Sequence, residues 1–221
     1  MTTRYKINEI FYSLQGEGYY TGTPAVFIRF SGCNLRCPFC DTSHGDGHMM
    51  TVDDILSEIS RWPSSHVVLT GGEPSLYISE SLVDALHGQG RYVAVETNGT
   101  HTLPSGVDWI TCSPKFGFPM DESGDVLPAE SARKVVLARC DELKVIYMGQ
   151  DMGVYDSIAA SHHFVQPCDT GDADRNRAIL HDAIEFCKGH PMWRLSLQTH
   201  KLSGIRRPAV MMISLLCREP D

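Results

Sequence analysis

Three of the eight cysteines lie in one short segment, where their type and spacing could support metal chemistry. Cys33, Cys37 and Cys40 form a Cys-x3-Cys-x2-Cys pattern. They follow directly after the apolar run 25–30, whose β-branched and aromatic residues predict a buried strand. A structural zinc site is closed by four ligands, whereas an iron–sulfur cluster held by three cysteines leaves one iron open to an external ligand. The absence of a second Cys-x2-Cys pair therefore favours a cluster with an open iron over a zinc site.

The alternative is that these three cysteines only share a buried loop. In a reducing compartment, thiols at ligand spacing are more often metal-binding or catalytic, which argues against that alternative. The other five cysteines are scattered through apolar patterns, and we predict that they are reduced core residues. They are Cys112, Cys140, Cys168, Cys187 and Cys217.

Length and charge are those of one acidic domain. The 221 residues are enough to bury a full core. A formal net charge of −8 argues against a nucleic-acid-binding surface, because such a surface needs clustered cations. No segment has the apolar length of a signal peptide or a membrane span. We therefore expect a cytoplasmic protein with neither nucleic acid nor a membrane as partner.

Strands and helices alternate along the chain. Strands are predicted at 25–30, 66–70, 92–100, 108–115, 142–147, 163–167 and 193–198. Helices are predicted at 51–62, 79–87 and 174–188. This alternation predicts an α/β fold whose parallel sheet has right-handed crossovers. Because the helices are fewer than the crossovers, some connections should be short. The polar segment 43–48 is predicted to be a loop whose two histidines are solvated.

Polar motifs follow the predicted strands at their carboxyl ends. Gly-Gly-Glu-Pro at 71–74 ends the second strand, Glu96 and Asn98 end the third, and Ser-Pro-Lys at 113–115 ends the fourth. Gln-Thr-His-Lys at 198–201 follows the last one. The carboxyl ends of parallel strands are where α/β scaffolds bind ligands, so we expect these motifs to form one site.

A glycine-rich turn and a charged strand residue precede the cysteines. Leu-Gln-Gly-Glu-Gly at 14–18 is a turn in which glycine lets the backbone approach a ligand closely. Arg29 interrupts the apolar strand, and a buried guanidinium is costly unless it pairs with an anion. That anion could be Glu17 in a buried ion pair or a carboxylate of the substrate.

In this order, the motifs resemble those of the 7-carboxy-7-deazaguanine synthases, a family of radical S-adenosylmethionine (SAM) enzymes. The resemblance extends from Ile7 to Arg206 and includes Phe39, an aromatic residue before the last cysteine of the pattern. It implies a partial, open (βα) barrel of parallel strands with SAM at their carboxyl ends. It also implies a [4Fe-4S] cluster whose open iron is chelated by SAM, together with Mg²⁺ held by the substrate and by Thr42.

The resemblance further implies the reaction and the partners. The substrate would be 6-carboxy-5,6,7,8-tetrahydropterin, and the products 7-carboxy-7-deazaguanine and ammonia, in queuosine biosynthesis. A 5′-deoxyadenosyl radical would take a hydrogen from C6, the ring would contract, and the hydrogen would return so that SAM is regenerated. A homodimer is implied, supplied by a one-electron donor such as flavodoxin or ferredoxin.

The resemblance also assigns residues to the site, position by position. The substrate-binding residues would be Leu14, Gln15, Gly16, Arg29, Thr70 and His200. The SAM-binding residues would be Phe39, Asp41, Gly72, Ser113, Pro114, Lys115 and Gln166, and to these we add Glu96 and Asn98 from their place at a strand end. The metal ligands would be Cys33, Cys37, Cys40 and Thr42.

Two other functions are compatible with the cysteine pattern. A glycyl-radical activating enzyme shares it but does not explain the motifs at 14–18 and 198–201. An electron-transfer iron–sulfur protein would need a fourth ligand and would leave Gly-Gly-Glu-Pro without a role. The chain also departs from the family beyond Arg207, where 209–217 is mostly apolar. We expect a domain over 1–207 and a tail over 208–221 that packs on the body or on a second subunit.

Overall fold

One nine-stranded sheet organises the described part of the chain, which comprises residues 3–37, 39–40, 42, 45–117 and 134–205 of a computed structural model. The strands are β1 Arg4–Leu14, β2 Pro24–Phe30, β3 His48–Thr51, β4 His66–Gly71, β5 Tyr92–Thr97, β6 Trp109–Cys112, β7 Cys140–Tyr147, β8 Ala160–Pro167 and β9 Trp193–Leu195. The helices are α1 Val52–Ile59, α2 Glu80–Gly88, α3 Ala173–Gly189 and α4 Thr199–Leu202. All seven predicted strands are therefore present, although β5, β6 and β9 end earlier than predicted, at Thr97, Cys112 and Leu195.

The strand order is β3-β1-β2-β4-β5-β6-β7-β8-β9, with β3 and β9 at the two edges, so the sheet is open. From β2 to β9 all neighbours are parallel, as predicted. Two strands that the sequence did not predict, β1 and β3, complete the sheet, and β1 is antiparallel to both β2 and β3. Only residues 15–23 separate β1 from β2, and a parallel pair needs a crossover of a dozen or more residues.

The helices occupy only some of the connections, as the sequence predicts. Helix α1 precedes β4, α2 joins β4 to β5, and α3 joins β8 to β9. Thr51 caps α1 reciprocally with Asp54, which confirms the predicted helix start, and the helix ends earlier than predicted, at Ile59. His48, which was predicted to lie in a loop, begins β3 and is exposed. No helix in the described ranges is both long enough and apolar enough to cross a bilayer.

Alternation along each parallel strand separates two faces of the sheet. On β4, Val67 and Leu69 pack in one buried cluster with Ile55 of α1 and Leu82 of α2. Val68, between them, belongs to a different cluster on the other face. Since successive side chains of a strand point to opposite faces, the second face lines the interior of the partial barrel.

Aromatic residues fill that interior at the amino ends of the strands. Tyr20, from the turn between β1 and β2, lies with its ring centre 4.6 Å from His66 and 4.8 Å from Trp109, the first residues of β4 and β6. Tyr19 packs on Trp109 at 4.9 Å, and Tyr92, the first residue of β5, stacks on His66 at 5.3 Å. We call these five residues the aromatic base; they close the interior at its amino end.

Candidate active site

A cavity of about 510 Å³ opens at the carboxyl ends of the parallel strands, opposite the aromatic base. It brings together nearly all of the residues predicted from sequence. Its wall contains Leu14, Gln15, Gly16, Arg29, Thr70 and His200 of the substrate group, Phe39, Gly72, Glu96, Asn98, Ser113, Lys115 and Gln166 of the SAM group, and Cys33, Cys37, Cys40 and Thr42 of the metal group. Pro114 is buried but is not part of the wall. Asp41 lies outside the described residues.

The three cysteines predicted as ligands are free thiols that face this one cavity. The Cys40 amide donates to the Cys37 carbonyl at 3.0 Å, which closes a tight turn between them. Burial raises the pKa of the Cys37 thiol to about 11 and also raises the pKa of Cys33. Within the described residues, no three Cys, His, Asp or Glu side chains are close enough together to hold a single metal ion. Three free thiols are the donors that iron–sulfur clusters use, and bound metal offsets the cost of their deprotonation. The donor set therefore fits such a cluster.

The glycines of Gly-Gly-Glu-Pro bring β4 against the start of the cysteine loop, residues 33–40. The Gly72 amide donates to the Phe30 carbonyl at 3.1 Å, and the Glu73 amide donates to the Gly32 carbonyl at 2.9 Å. A Cβ atom at position 72 would overlap the Gly32 carbonyl. Only glycine therefore allows the two backbones to approach this closely.

The acidic residue of the same motif, Glu73, is buried and bonds to other residues of the protein. Glu73 is 1% exposed. Its carboxylate accepts hydrogen bonds from the Thr97 hydroxyl at 2.6 Å, the Asn98 amide at 2.7 Å and the Ser75 amide at 3.0 Å. Because Thr97 is the last residue of β5 and Asn98 follows it, Glu73 ties the ends of two neighbouring strands together.

Asn98 connects this strand end to the cysteine loop. Its side-chain amide donates to Asn34 Oδ1 at 3.0 Å, and Asn34 donates in turn to the Thr100 hydroxyl at 2.9 Å. The predicted SAM residue Asn98 therefore also fixes the loop that carries the thiols.

Glu96 orients two residues of the predicted substrate group. Gln15 Nε2 donates to Glu96 Oε1 at 3.0 Å, and the Thr70 hydroxyl donates to Glu96 Oε2 at 2.9 Å. The side-chain oxygen of Gln15, Oε1, accepts from the backbone amides of Gly16 at 2.8 Å and Glu17 at 3.2 Å. The turn after β1 is thereby attached to the ends of β4 and β5.

Lys144 of β7 is a buried cation in the cavity wall that sequence reasoning missed. Its Nζ atom lies 2.7 Å from Glu17 Oε2 and 3.7 Å from Glu96 Oε1. Burial alone lowers the pKa of Lys144, but Glu17, Glu96 and Glu142 outweigh that effect and raise the pKa above its ordinary value. A lysine inside an otherwise apolar strand could have indicated this role, because a buried charge is costly unless it is paired. The same argument identified Arg29.

Arg29 pairs with Glu9 rather than with Glu17. Its Nε atom lies 2.8 Å from Glu9 Oε1, while Nη1 donates to the Thr42 hydroxyl at 3.4 Å. The alternative of an ion pair with Glu17 is therefore wrong. A register irregularity between Ile7 and Glu9 of β1 places Glu9 opposite Arg29 of β2.

The closing motif packs against the first turn of the chain. The Thr199 amide and hydroxyl both donate to the Gly16 carbonyl at 3.0 Å. A Cβ atom at position 16 would overlap the His200 ring. Lys201 pairs with Asp169 at 2.6 Å, and hydrogen bonds from Lys201, Gly171 and Asn176 lower the pKa of Asp169 to about 2.

Most of the other cysteines behave as core residues. Cys112 and Cys140 are buried, and Cys187 is half-buried. Cys168 is buried too, but it also forms part of the cavity wall, which its apolar surroundings in the sequence did not indicate. Cys217 lies outside the described residues, as does the rest of the tail at 208–221.

Comparison with known proteins gives consistent relationships. Residues 27–149 match the model of the radical SAM superfamily. A 7-carboxy-7-deazaguanine synthase of Bacteroides thetaiotaomicron is 54% identical over 201 residues, which cover 91% of this chain and 98% of that protein. A synthase of the same name from Nitratidesulfovibrio vulgaris is 39% identical, covering 91% of this chain and 99% of that protein. The crystal structure of QueE from Escherichia coli matches with a TM-score of 0.64 at 28% identity, covering 88% of this chain and 93% of that one.

Proposed function

The chain belongs to the 7-carboxy-7-deazaguanine synthases of the radical SAM superfamily, and we propose that its cavity at the strand ends binds SAM beside the pterin substrate. It is a carbon–nitrogen lyase that converts 6-carboxy-5,6,7,8-tetrahydropterin to 7-carboxy-7-deazaguanine with loss of ammonia. Its cofactors are a [4Fe-4S] cluster, SAM and Mg²⁺. A glycyl-radical activating enzyme or a non-catalytic iron–sulfur protein is not favoured.

One observation carries the proposed location of the site. The cysteine loop and the Gln15-Gly16-Glu17 turn are separate in sequence, yet both face the same cavity. One motif is a thiol donor set, and the other is a fixed array of amide and carboxylate groups. A cavity that contains both can hold a radical source beside a polar heterocycle.

Cys33, Cys37 and Cys40 would hold the cluster, with Phe39, Gly72, Asn98, Ser113, Lys115 and Gln166 around SAM. When bound, the cluster and SAM supply the 5′-deoxyadenosyl radical that starts the ring contraction. The chain itself supplies position: Glu73 and Asn98 fix the ends of β4 and β5 against the cysteine loop. The bare backbone at Gly72 allows that close contact.

Arg29 and Thr42 support a binding place for the substrate carboxylate. Glu9 holds Arg29 at Nε, and the guanidinium lies beside the Thr42 hydroxyl. A hydroxyl is a hard oxygen ligand, and Mg²⁺ takes few protein ligands and completes its shell with water and substrate. We therefore expect Thr42→Ala to weaken the Mg²⁺ dependence of turnover while cluster absorbance stays at the wild-type level. An unchanged Mg²⁺ titration would remove Thr42 from the site.

The proposal also includes the partners and the setting of the enzyme. It acts in the cytoplasm as a homodimer, takes electrons from a flavodoxin or ferredoxin, and binds no nucleic acid, in keeping with its net charge of −8. The tail at 208–221 is a packing or dimer element. Truncation after Arg207 should then keep the cluster but weaken association, which sedimentation of both proteins would measure.

The function is tested by anaerobic incubation of reconstituted protein with SAM, a reductant, Mg²⁺ and the carboxy-tetrahydropterin. We expect an ultraviolet-absorbing deazaguanine product and an equal amount of ammonia. A reaction without SAM is the control for product that forms without the radical. Release of 5′-deoxyadenosine without deazaguanine, at saturating pterin, would contradict the proposed substrate.

A further inference from the structure

Lys144 lies among the polar side chains of the cavity, although it belongs to none of the sequence motifs that the chain shares with the synthase family. It is 5% exposed, and it lies on β7 two residues after Glu142, which is 2% exposed. Glu17 reaches it from the turn after β1, and Glu96 reaches it from β5. Lys115, after β6, is a second lysine in the cavity wall, and Glu17 is the carboxylate of this group that interacts with it. Three carboxylates thus face the Lys144 ammonium group in a largely buried space.

The two carboxylates that contact Lys144 also accept hydrogen bonds from other side chains. Glu96 accepts hydrogen bonds from Gln15 and Thr70. Glu17 accepts one from Gln198 Nε2 at 2.9 Å. An ionised carboxylate accepts on both oxygens, whereas a protonated carboxyl group turns one oxygen into a donor and keeps less acceptor capacity. The ionisation of both groups therefore strengthens the bonds that orient Gln15, Thr70 and Gln198.

We propose that Lys144 is a positioning residue for the pterin site: it keeps Glu17 and Glu96 ionised side by side, and so holds Gln15, Thr70 and Gln198 in their cavity-facing orientation. The inference rests on the proposed function and extends it to a residue outside the substrate and SAM groups. Without Lys144, the carboxylates of Glu17, Glu96 and Glu142 lose the cation that they share. Like charges in a buried space disfavour ionisation, so the carboxylates would take up protons at higher pH.

The test is Lys144→Met, which keeps an unbranched side chain and removes the charge. We expect the KM for the carboxy-tetrahydropterin to rise at least about 10-fold, with the KM for SAM and the cluster absorbance within about 2-fold of wild type. The acid limb of kcat/KM against pH should move to higher pH, because the carboxylates lose their charge there. Lys188→Met on α3, where Lys188 forms only an exposed pair with Glu185, is the matched control and should change none of these.

Two results would overturn the inference. One is an unchanged KM for the pterin in Lys144→Met. The other is lower activity with an acid limb at the wild-type pH, which would mean that Lys144 serves only the stability of the fold. If wild-type protein forms no deazaguanine, the proposed function fails instead, so the two failures are distinguishable.

Lys144→Met could fold poorly, since removal of one partner of a buried ion pair is strongly destabilising. A second pair of variants tests the inference in that case. Glu17→Gln and the double variant Glu17→Gln with Lys144→Met differ only in the lysine, and the double variant leaves fewer unpaired charges. We expect a higher-pH acid limb in the double variant, because Glu96 has then lost its cation. Coincident acid limbs in these two proteins would also overturn the inference.

Discussion

The two ends of the barrel interior are built from the same strands but from different residue types. On β4 the interior face begins with His66, passes Val68 and ends with Thr70. On β5 it begins with Tyr92 and ends with Glu96. The first residues join the aromatic base, and the last residues form the cavity wall. The interior thus changes along each strand from stacked rings to hydrogen-bonding groups.

The turn between β1 and β2 takes part in both regions. Gln15 and Glu17 lie in the cavity wall, whereas Tyr19 and Tyr20 lie in the aromatic base. Side chains only a few residues apart thus line the cavity and close the amino end of the barrel interior. If this division is correct, variants in the cavity should change catalysis at nearly constant stability, and variants in the base should do the reverse.

The largest effect is expected in the cavity, from Cys37→Ala. Two thiolates are too few to hold the [4Fe-4S] cluster, so the variant should lose the cluster and all turnover. Iron content and cluster absorbance after anaerobic reconstitution measure the loss. Cys187→Ala, which removes a half-buried thiol from α3, is the control and should reconstitute fully. Wild-type cluster absorbance in Cys37→Ala would refute its assignment as a ligand.

The next effect belongs to the aromatic base. Trp109→Ala removes the ring on which Tyr19 and Tyr20 pack, and should lower the free energy of unfolding by about 3 kcal/mol. Denaturant titration of anaerobic protein measures this change. At low temperature, turnover per bound cluster should stay within about 3-fold of wild type, since an effect of this size on folding need not reach the cavity. A much larger fall in turnover at full cluster loading would show that the base also governs chemistry.

A smaller effect on catalysis is expected from Gly16→Ala. The new methyl group would push the His200 ring out of its place, and we expect the KM for the pterin to rise about 10-fold, equivalent to about 1.4 kcal/mol. Gly189→Ala is the matched control, because no atom lies within 4 Å of the added Cβ there. Equal kinetics for the two variants would mean that the Gly16–His200 contact does not shape the site.

The smallest effect concerns the rim of the cavity. Lys201→Met removes the partner of Asp169, an exposed pair worth less than about 1 kcal/mol because water screens it. Since the pKa of Asp169 is lowered to about 2, the pair stabilises the fold above the unfolded value, about 3.9, and this contribution is lost as pH falls through about 2. Melting temperatures of the two proteins should therefore differ slightly at pH 6 and converge at pH 2. A constant difference across that range would assign the effect to something other than the carboxylate.

The sequence predicted the strands and most of the cavity because both depend on local patterns. Apolar runs indicate the strands, and the carboxyl end of a parallel strand is a known place for a ligand. Glu96 and Asn98 could therefore be assigned to one site from their place at a strand end, whereas Gln166 was assigned through the family resemblance.

Features that depend on distant partners could not be predicted in this way. The anion beside Arg29 is Glu9 rather than Glu17, because an irregularity in β1 decides which carboxylate faces β2. The ion pairs of Lys144 depend on Glu17 and Glu96, which come from distant parts of the chain. Strand β3 is short and pairs only with β1, so its four residues carry too little pattern to be identified.

The hydrogen bond between Thr199 and Gly16 sets an order on biosynthesis. These residues are 183 positions apart, whereas Asn98 and Asn34, which fix the cysteine loop, are 64 apart. Chains fold from the amino end as they leave the ribosome, so the thiol donors can be in place while the closing motif is still untranslated. A prematurely terminated chain that contains residue 98 but not residue 199 would therefore carry both partners of the cysteine-loop contact and lack the partner of Gly16.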